Sequence, residues 1–283
     1  MIEFLKALLF GIVEGITEWL PISSTGHMIL LNDFVKLDVS PEFWEMFLVV
    51  VQLGAILAVV LLFWSKIFPF GKKNNAHPLK KDGPGAYVKT DIFVLWFKIV
   101  VACVPAAIVA FTLDDYLDKL FYNSICVSIA LIVFGIGFLI IEERHKGKSA
   151  KINTLSEITY QTALLIGVFQ LIAAVFPGTS RSGATILGAL LIGVSRTVAA
   201  EFTFFLAIPV MFGESLLKLI KFGFHFTGSE LMILATGMIT AFVVSILIIR
   251  FLMSYIKKHD FKVFGWYRIV LGIIVLLYFA IFR

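Results

Sequence analysis

Two acidic residues near the start of the chain lie in a stretch that is otherwise apolar. Glu14 and Glu18 are four positions apart, so in a helix their carboxylates project from the same face. Ionisable residues inside so apolar a segment are costly and are functional candidates by default. Paired carboxylates repel each other, which favours proton retention or cation binding, and their oxygens suit a hard divalent ion such as Mg²⁺ or Ca²⁺. Glu14 and Glu18 are therefore predicted metal ligands, unless both reach a solvated surface or pair with a basic residue.

A run of small hydroxyl side chains follows the acidic pair. Ser23, Ser24 and Thr25 directly precede Gly26 and His27. Serine and threonine commonly cap a helix N-terminus, and that simple role is one interpretation of Ser23 and Thr25. A helix N-terminus also offers free N–H groups and a positive dipole, which together bind phosphate. His27 can carry a proton or act as a nucleophile, although a single histidine in apolar surroundings is often only a core residue.

A second polar cluster interrupts another apolar stretch much later in the chain. It consists of Thr179, Ser180, Arg181 and Ser182, and it follows Pro177. A guanidinium in such surroundings needs an anionic partner, and its planar fork matches phosphate oxygens. If both clusters begin helices and the two helix N-termini meet, they form with Arg181 a cradle for a polyanion.

The chemistry predicted by these side chains is phosphoryl transfer. Arg181, the helix dipoles and a metal on the two carboxylates would neutralise the charge that develops in the transition state. Because a hydroxyl needs a neighbouring base, Ser24 attacks with His27 as its base in the interpretation we prefer. Direct attack by His27, and activation of water, are the alternatives. The predicted catalytic residues are Glu18, Ser24, His27 and Arg181, and the predicted substrate-binding residues are Ser23, Thr25, Gly26, Gln170, Thr179, Ser180 and Ser182.

The elements that must position these residues are membrane helices. Of the 283 residues, 60% are hydrophobic and only 15% are charged, which sets the chain apart from soluble globular proteins. The mean hydropathy of +0.98 points the same way. Six apolar runs are long enough to cross a bilayer, at residues 44–64, 92–111, 125–141, 199–217, 231–252 and 266–282. We therefore predict an all-α polytopic membrane protein with one integral membrane domain, residues 1–283.

Two further apolar regions, residues 4–34 and 160–194, contain the two polar clusters at mid-length. Non-helical backbone at membrane depth is tolerated only where it is buried in protein or lines a wet cavity. Each region is therefore predicted to be a re-entrant hairpin of two half-helices, which gives ten helical segments with the six spans.

Charge predicts the orientation of the chain. The loops at residues 66–90, 142–157 and 257–262 carry most of the lysine, which places them in the cytoplasm by the positive-inside rule. The acidic loops are then outside, and they contain Asp33, Asp38, Glu42, Asp114, Asp115 and Asp118. Six crossings satisfy this alternation only if both hairpins return to their starting side. Both chain termini are then predicted to lie outside.

An internal repeat of opposite topology is consistent with this arrangement. A shift of 156 residues pairs Gly11 with Gly167, Glu14 with Gln170, Pro21 with Pro177, Ser24 with Ser180, and Glu45 with Glu201. Inverted repeats place their sites near the bilayer midplane, at the repeat interface, and build them from broken helices. We predict a first repeat at residues 1–150 and a second at residues 151–283.

The two clusters also carry a family resemblance. Residues 14–27 (EGITEWLPISSTGH) and 177–185 (PGTSRSGAT) resemble the two signature motifs of the undecaprenyl-diphosphate phosphatase (bacitracin-resistance) family. The likeness covers essentially the whole chain, including residues 51–58 and 193–196. It implies a divalent-metal-dependent hydrolase in the bacterial plasma (inner) membrane that converts the polyprenyl diphosphate to the monophosphate carrier of cell-wall synthesis. It also implies bacitracin resistance and an active site open to the outer face.

Other functions fit the same architecture. Inverted repeats and broken helices also occur in transporters, so a polyprenyl-phosphate flippase or an anion transporter is the alternative. A carrier needs the phosphate cradle but has little use for Glu18 and His27 together, and a structural scaffold explains neither Arg181 nor the paired carboxylates. The expected partners are the polyprenyl diphosphate and the lipid bilayer, without nucleic acid and with a homodimer left open.

Overall fold

The computed structural model describes residues 2–72, 75–121 and 124–282, and for residues 110, 111, 113–121, 124 and 282 it describes the backbone alone. This part of the chain is helical, with isolated β-bridges and no longer strand. Its α-helices are α1 (Ile2–Thr17), α2 (Ser24–Phe34), α3 (Pro41–Val50), α4 (Gln52–Leu62), α5 (Trp64–Ile67), α6 (Thr90–Phe121), α7 (Ser124–His145), α8 (Tyr160–Val175), α9 (Arg181–Ile192), α10 (Arg196–Phe222), α11 (Gly228–Tyr255) and α12 (Lys262–Phe282).

Six apolar segments in the described residues are long enough to cross a membrane. They are Pro41–Leu62, Thr90–Val109, Ile125–His145, Arg196–Phe222, Gly228–Tyr255 and Lys262–Ile281. All six predicted runs are thereby confirmed, with ends that differ by five residues or fewer. The first span is divided at Val51 into α3 and α4, and the helix of the second continues beyond the apolar segment to Phe121.

The outward-facing sides of these spans are apolar, as are the sides buried inside the protein. Large hydrophobic side chains such as Leu61, Leu247 and Phe251 are more than half exposed. A helix that is apolar on all sides is stable only when protein or lipid covers it. The protein is therefore a multi-pass membrane protein, whose outward-facing leucine and phenylalanine side chains meet lipid.

Two pairs of shorter helices are not among the six spans. Helix α1 packs against α2, and α8 packs against α9, each pair joined by a non-helical turn where a hairpin was predicted. The proline that interrupts each apolar region lies in that turn, because proline cannot continue a helix without losing a backbone hydrogen bond. The depth of these pairs in the bilayer stays a prediction.

Helix packing is reciprocal between the two halves of the chain. Helix α1 packs on α11, α8 packs on α6, and α7 packs on α12. Glycine permits the first two close approaches, since a Cβ on Gly11 would lie 2.6 Å from the Gly237 carbonyl and one on Gly167 would lie 2.3 Å from the Ala102 carbonyl. These two glycines are partners in the 156-residue shift. Such exchange of partners is what an internal repeat produces, while its inversion and its boundary at residue 150 stay predictions.

Candidate functional site

The turns of the two half-helix pairs share an unusual backbone feature. Ser23 and Ser180 have φ angles of 75° and 68°, and they are the described non-glycine residues with positive φ. Both are helix caps: Ser23 Oγ accepts a hydrogen bond from the Gly26 amide at 3.3 Å, and Ser180 Oγ accepts one from the Gly183 amide at 3.1 Å. Left-handed backbone at such residues costs about 1–3 kcal/mol and is retained mainly at functional sites. The capping role considered for Ser23 is confirmed.

The caps correct the register of the internal repeat. Ser23 corresponds to Ser180 and Gly26 to Gly183, a shift of 157 residues, whereas the gapless alignment pairs Ser24 with Ser180. The cause is a longer half-helix in the second half, since α8 continues to Val175, eight residues past Gly167, while α1 ends at Thr17, six residues past Gly11. The second turn is one residue shorter than the first, so the net change is one residue. The 156-residue shift therefore describes the packed glycines but not the turns.

Glu18 joins the two turns. One carboxylate oxygen accepts a hydrogen bond from Arg181 Nη2 at 2.8 Å, and the other accepts one from Ser24 Oγ at 2.5 Å. Its backbone carbonyl accepts a third hydrogen bond, from Ser182 Oγ at 3.2 Å. Glu18 is only 6% exposed, so these contacts lie in a dry environment where each is stronger than in water. Residues from α2, α9 and both turns thus come together as predicted.

The hydrogen bond between Ser24 and Glu18 has the arrangement that a nucleophile and its base require. The serine is the first residue of α2, and its hydroxyl donates to a carboxylate that can accept its proton. Arg181, the first residue of α9, balances the charge of that carboxylate. A weaker ion pair joins Arg181 Nη1 to Glu214 at 3.6 Å, and Glu214 is 51% exposed.

Both ring nitrogens of His27 have hydrogen-bond partners other than Ser24, which differs from the proton-transfer pair that we preferred. Its Nδ1 lies 2.7 Å from the Ser23 carbonyl, and its Nε2 lies 2.7 Å from the Tyr267 hydroxyl. A carbonyl can only accept, so Nδ1 carries the proton and Nε2 accepts from the tyrosine. The histidine side chain points back toward the carbonyl four residues before it, and Glu18 occupies the position beside Ser24.

Several buried polar atoms around this junction lack hydrogen-bond partners. They include Glu14 Oε1, Thr179 Oγ1 and both amide atoms of Gln170, and Trp19 Nε1 in the first turn is another. Glu14 lies near enough to Glu18 and Arg181 to interact electrostatically with each. A buried polar group without a partner costs about 1–3 kcal/mol, so this concentration of such groups indicates a place for a polar ligand or an ion. Glu14, Thr179 and Gln170 were predicted to bind substrate or metal, and Trp19 was not.

The carboxylates of Glu14 and Glu18 suit a hard cation that takes most of its ligands from water and phosphate. The described residues contain no cluster of three or more histidine, cysteine, aspartate or glutamate side chains with metal-binding geometry. Glu14 has a carboxylate oxygen free, whereas both oxygens of Glu18 already accept hydrogen bonds. Mg²⁺ commonly uses one or two carboxylates and completes its shell with water and phosphate oxygens. Glu14 and Glu18 therefore suit Mg²⁺, which needs few protein ligands, better than a metal that needs four or more ligands from the protein.

Sequence reasoning missed Tyr267, Arg268 and Glu214. Arg268 is fully buried and donates to the carbonyls of Pro21 at 3.1 Å, Gly178 at 3.0 Å and Thr179 at 2.7 Å. A signal existed for it, because Arg268 lies at the start of the last predicted span and an ionisable residue there is a functional candidate. The same signal existed for Glu214, which lies inside the predicted span at residues 199–217, and none existed for Tyr267.

Sequence comparison with known proteins shows the family of the chain. The chain is 64% identical over 280 residues to undecaprenyl-diphosphatase 1 of Clostridium acetobutylicum, covering 99% of this chain and 98% of that protein. It is 63% identical over 280 residues to the undecaprenyl-diphosphatase of Desulfitobacterium hafniense, covering 99% and 97%. A family model for bacitracin resistance protein BacA matches residues 7–274. The chain therefore belongs to the bacitracin resistance protein BacA family.

Proposed function

We propose that the protein hydrolyses undecaprenyl diphosphate to undecaprenyl phosphate and inorganic phosphate, which recycles the lipid carrier for peptidoglycan synthesis and gives bacitracin resistance. The observation that carries the proposal is the triangle of Ser24, Glu18 and Arg181 at the junction of the two turns. The relatives named above are called undecaprenyl-diphosphatases, which supplies the identity of the lipid. A flippase or anion carrier would need the cradle, but a serine bonded to a base serves hydrolysis.

The first step is attack by Ser24. Its Oγ forms a bond to the terminal phosphorus as its proton passes to Glu18, and the anhydride bond breaks to release undecaprenyl phosphate. Arg181 and the N–H groups at the starts of α2 and α9 receive the charge on the phosphoryl oxygens. Phosphate is a good leaving group, so this step needs no general acid.

The second step returns the enzyme to its starting state. Water attacks the phosphoserine, and the Ser24 oxygen leaves with the proton that Glu18 held. The proton of the attacking water stays with the phosphate, so Ser24 and Glu18 return to their starting protonation states. Inorganic phosphate is released. Direct attack by His27 remains the alternative, but its Nε2 would first have to lose the hydrogen bond from Tyr267.

We also propose a divalent cation, Mg²⁺ or Ca²⁺, bound mainly through Glu14, with Glu18 as a second ligand. When bound, it would supply positive charge against the terminal phosphate. Gln170 lies buried in α8 with its amide free for the same phosphate or its hydration shell.

Changing Glu14 to Gln tests the metal proposal. Loss of one ligand should raise the Mg²⁺ concentration needed for half-maximal phosphate release by about tenfold or more. The dissociation constant of Mn²⁺, measured on the protein by electron paramagnetic resonance, should rise in parallel, and EDTA should abolish activity of the wild type. Glu45→Gln, which removes a carboxylate paired with Lys218, is the control and should change neither quantity. An unchanged metal requirement in Glu14→Gln would refute the assignment.

The proposed location is the bacterial plasma (inner) membrane, with the site open to the outside. The lysine-rich loops support this orientation, and the reciprocal helix packing supports two inverted repeats with re-entrant hairpins.

Cysteine labelling tests the orientation, in cells that express a variant of the protein without the native Cys103 and Cys126. A cysteine replacing Lys80 should react only after permeabilisation, while one replacing Asp38 should react with an impermeant reagent in intact cells. Reaction of both from one side would exclude the proposed topology. A control with no cysteine should remain unlabelled.

The activity itself is tested by phosphate release from undecaprenyl diphosphate in detergent. Purified protein should form phosphate and undecaprenyl phosphate in equal amounts, and Ser24→Ala should form neither. Formation of isoprenyl alcohol and diphosphate would place the cleavage at a different bond.

A further inference from the structure

We propose that Arg268 is a positioning residue that aligns the two turns, residues 18–23 and 176–180, for the proposed hydrolysis. The proposal goes beyond that reaction by naming the residue on which the geometry of the cradle depends. It rests on the proposed function only for the activity measurements below.

The surroundings of Arg268 are unusual for a cation. Its side chain is fully buried, and within the described chain no carboxylate lies within ion-pair distance of it. All of its hydrogen bonds go to backbone carbonyls, those of Leu131, Pro21, Gly178 and Thr179. Burying an unpaired charge is expensive, so the fold retains Arg268 against a large penalty. A neutral residue would fill the same space at lower cost if packing were its only role.

The bonds of Arg268 connect segments far apart in sequence. Nη1 binds the first turn through Pro21, and Nη2 binds the second through Gly178 and Thr179. The planar guanidinium presents these donors in one rigid fork, which sets the distance between the turns. Glu18 belongs to the first turn and Arg181 follows the second, so their 2.8 Å contact depends on that distance.

The same bonds orient the peptide planes that face the phosphate site. In a trans peptide the carbonyl and the following N–H point in opposite directions. A Thr179 carbonyl turned toward Arg268 therefore turns the Ser180 N–H away from it. Ser180 has the positive φ of 68°, as Ser23 does in the other turn. Arg268 thus stabilises strained backbone beside both serine caps.

Close helix packing holds Arg268 in place. Helices α7 and α12 approach through glycines, since a Cβ on Gly265 would lie 2.9 Å from the Gly135 carbonyl and one on Gly272 would lie 2.8 Å from the Ser128 carbonyl. Gly183 in α9 leaves room for the guanidinium, because a Cβ there would lie 2.8 Å from Arg268 Nη1. Gly183→Ala would therefore displace the guanidinium without removing its charge.

The test combines Arg268→Met, Arg268→Lys and Gly183→Ala in the full-length protein in detergent. A misplacement of about 1 Å can cost about a hundredfold in rate, so Arg268→Met should lose about that factor in kcat with little change in KM. Arg268→Lys keeps the charge but loses the planar guanidinium, so its kcat should be about tenfold higher than that of Arg268→Met and still below that of the wild type. Gly183→Ala should lower kcat with the charge intact.

Hydrogen exchange gives a measurement that does not depend on hydrolysis. Amides of residues 18–23 and 176–180 should exchange about tenfold faster, and together, in folded Arg268→Met. Lys98→Met is the matched control, because Lys98 is 7% exposed and bonds a carbonyl outside the site, that of Ser156 at 3.2 Å. Lys98→Met should change neither the exchange rates of the two turns nor kcat.

Three results would overturn the proposal: unchanged exchange in folded Arg268→Met, faster exchange in only one turn, or a wild-type kcat in Gly183→Ala. Faster exchange of both turns together in Arg268→Met would support the proposal even if the protein failed to hydrolyse undecaprenyl diphosphate. That failure would count against the proposed function alone.

Discussion

Replacing Glu18 with Gln should lower kcat for phosphate release by about a thousandfold, because the amide cannot accept the Ser24 proton. The substitution keeps the shape of the side chain while it removes the charge that pairs with Arg181. Ser24→Ala should have an effect of similar size. Since both residues serve one proton transfer, the double variant should be little worse than either single variant.

Glu201→Gln is the matched control for Glu18→Gln. Glu201 is also a poorly exposed acid, and it pairs with Lys66 at 2.8 Å and not with a residue of either turn. Its loss should affect stability and leave kcat unchanged. Full activity of Glu18→Gln, or equal losses in both variants, would contradict the assignment of Glu18 as the base.

Arg181→Ala should lower kcat/KM by about a thousandfold, and Arg181→Lys by about tenfold or more. Arg181 contacts Glu18 through one nitrogen and Glu214 through the other, so its fork orients the base while its charge attracts phosphate. Lysine supplies the charge as a single point and cannot do both. The losses are measured with undecaprenyl diphosphate at fixed Mg²⁺.

The control for Arg181→Lys is Arg196→Lys. Arg196 also forms a forked ion pair, with the buried Glu142, but at the far end of α9 from Arg181. Its replacement should lower the thermal midpoint without lowering kcat. If Arg181→Lys equals the wild type, Arg181 acts only as a general positive charge and the forked contact has no catalytic importance.

The membrane architecture could be predicted from sequence because lipid imposes simple rules. Apolar runs of sufficient length predicted all six spans, and a polar cluster beside a proline predicted each turn. The same reasoning brought Glu18, Ser24 and Arg181 to one site, since ionisable side chains in apolar segments need partners. These successes depend on composition and length, which do not require atomic detail.

The partners of individual side chains could not be predicted in this way. His27 follows Ser24 by three residues, and spacing alone suggested a pair, but side-chain orientation places His27 against Ser23 and Tyr267 instead. Arg268 reaches the turns only because α12 packs beside α7 through glycines. The repeat register failed at the caps because α8 continues two residues further past its packed glycine than α1 does, and the apolar pattern does not reveal where a half-helix ends. The Tyr267 and Arg268 contacts join segments that are distant in sequence, which no local pattern reveals.

The central claim is that Ser24 carries the phosphoryl group during hydrolysis of undecaprenyl diphosphate. It is tested most directly by mixing the protein with substrate labelled in the terminal phosphate and quenching with acid within a single turnover. The account predicts acid-stable label on the peptide that contains Ser24, appearing before free phosphate and absent from Ser24→Ala. Acid-labile label on His27, or free phosphate formed with no labelled protein at any quench time, would contradict it.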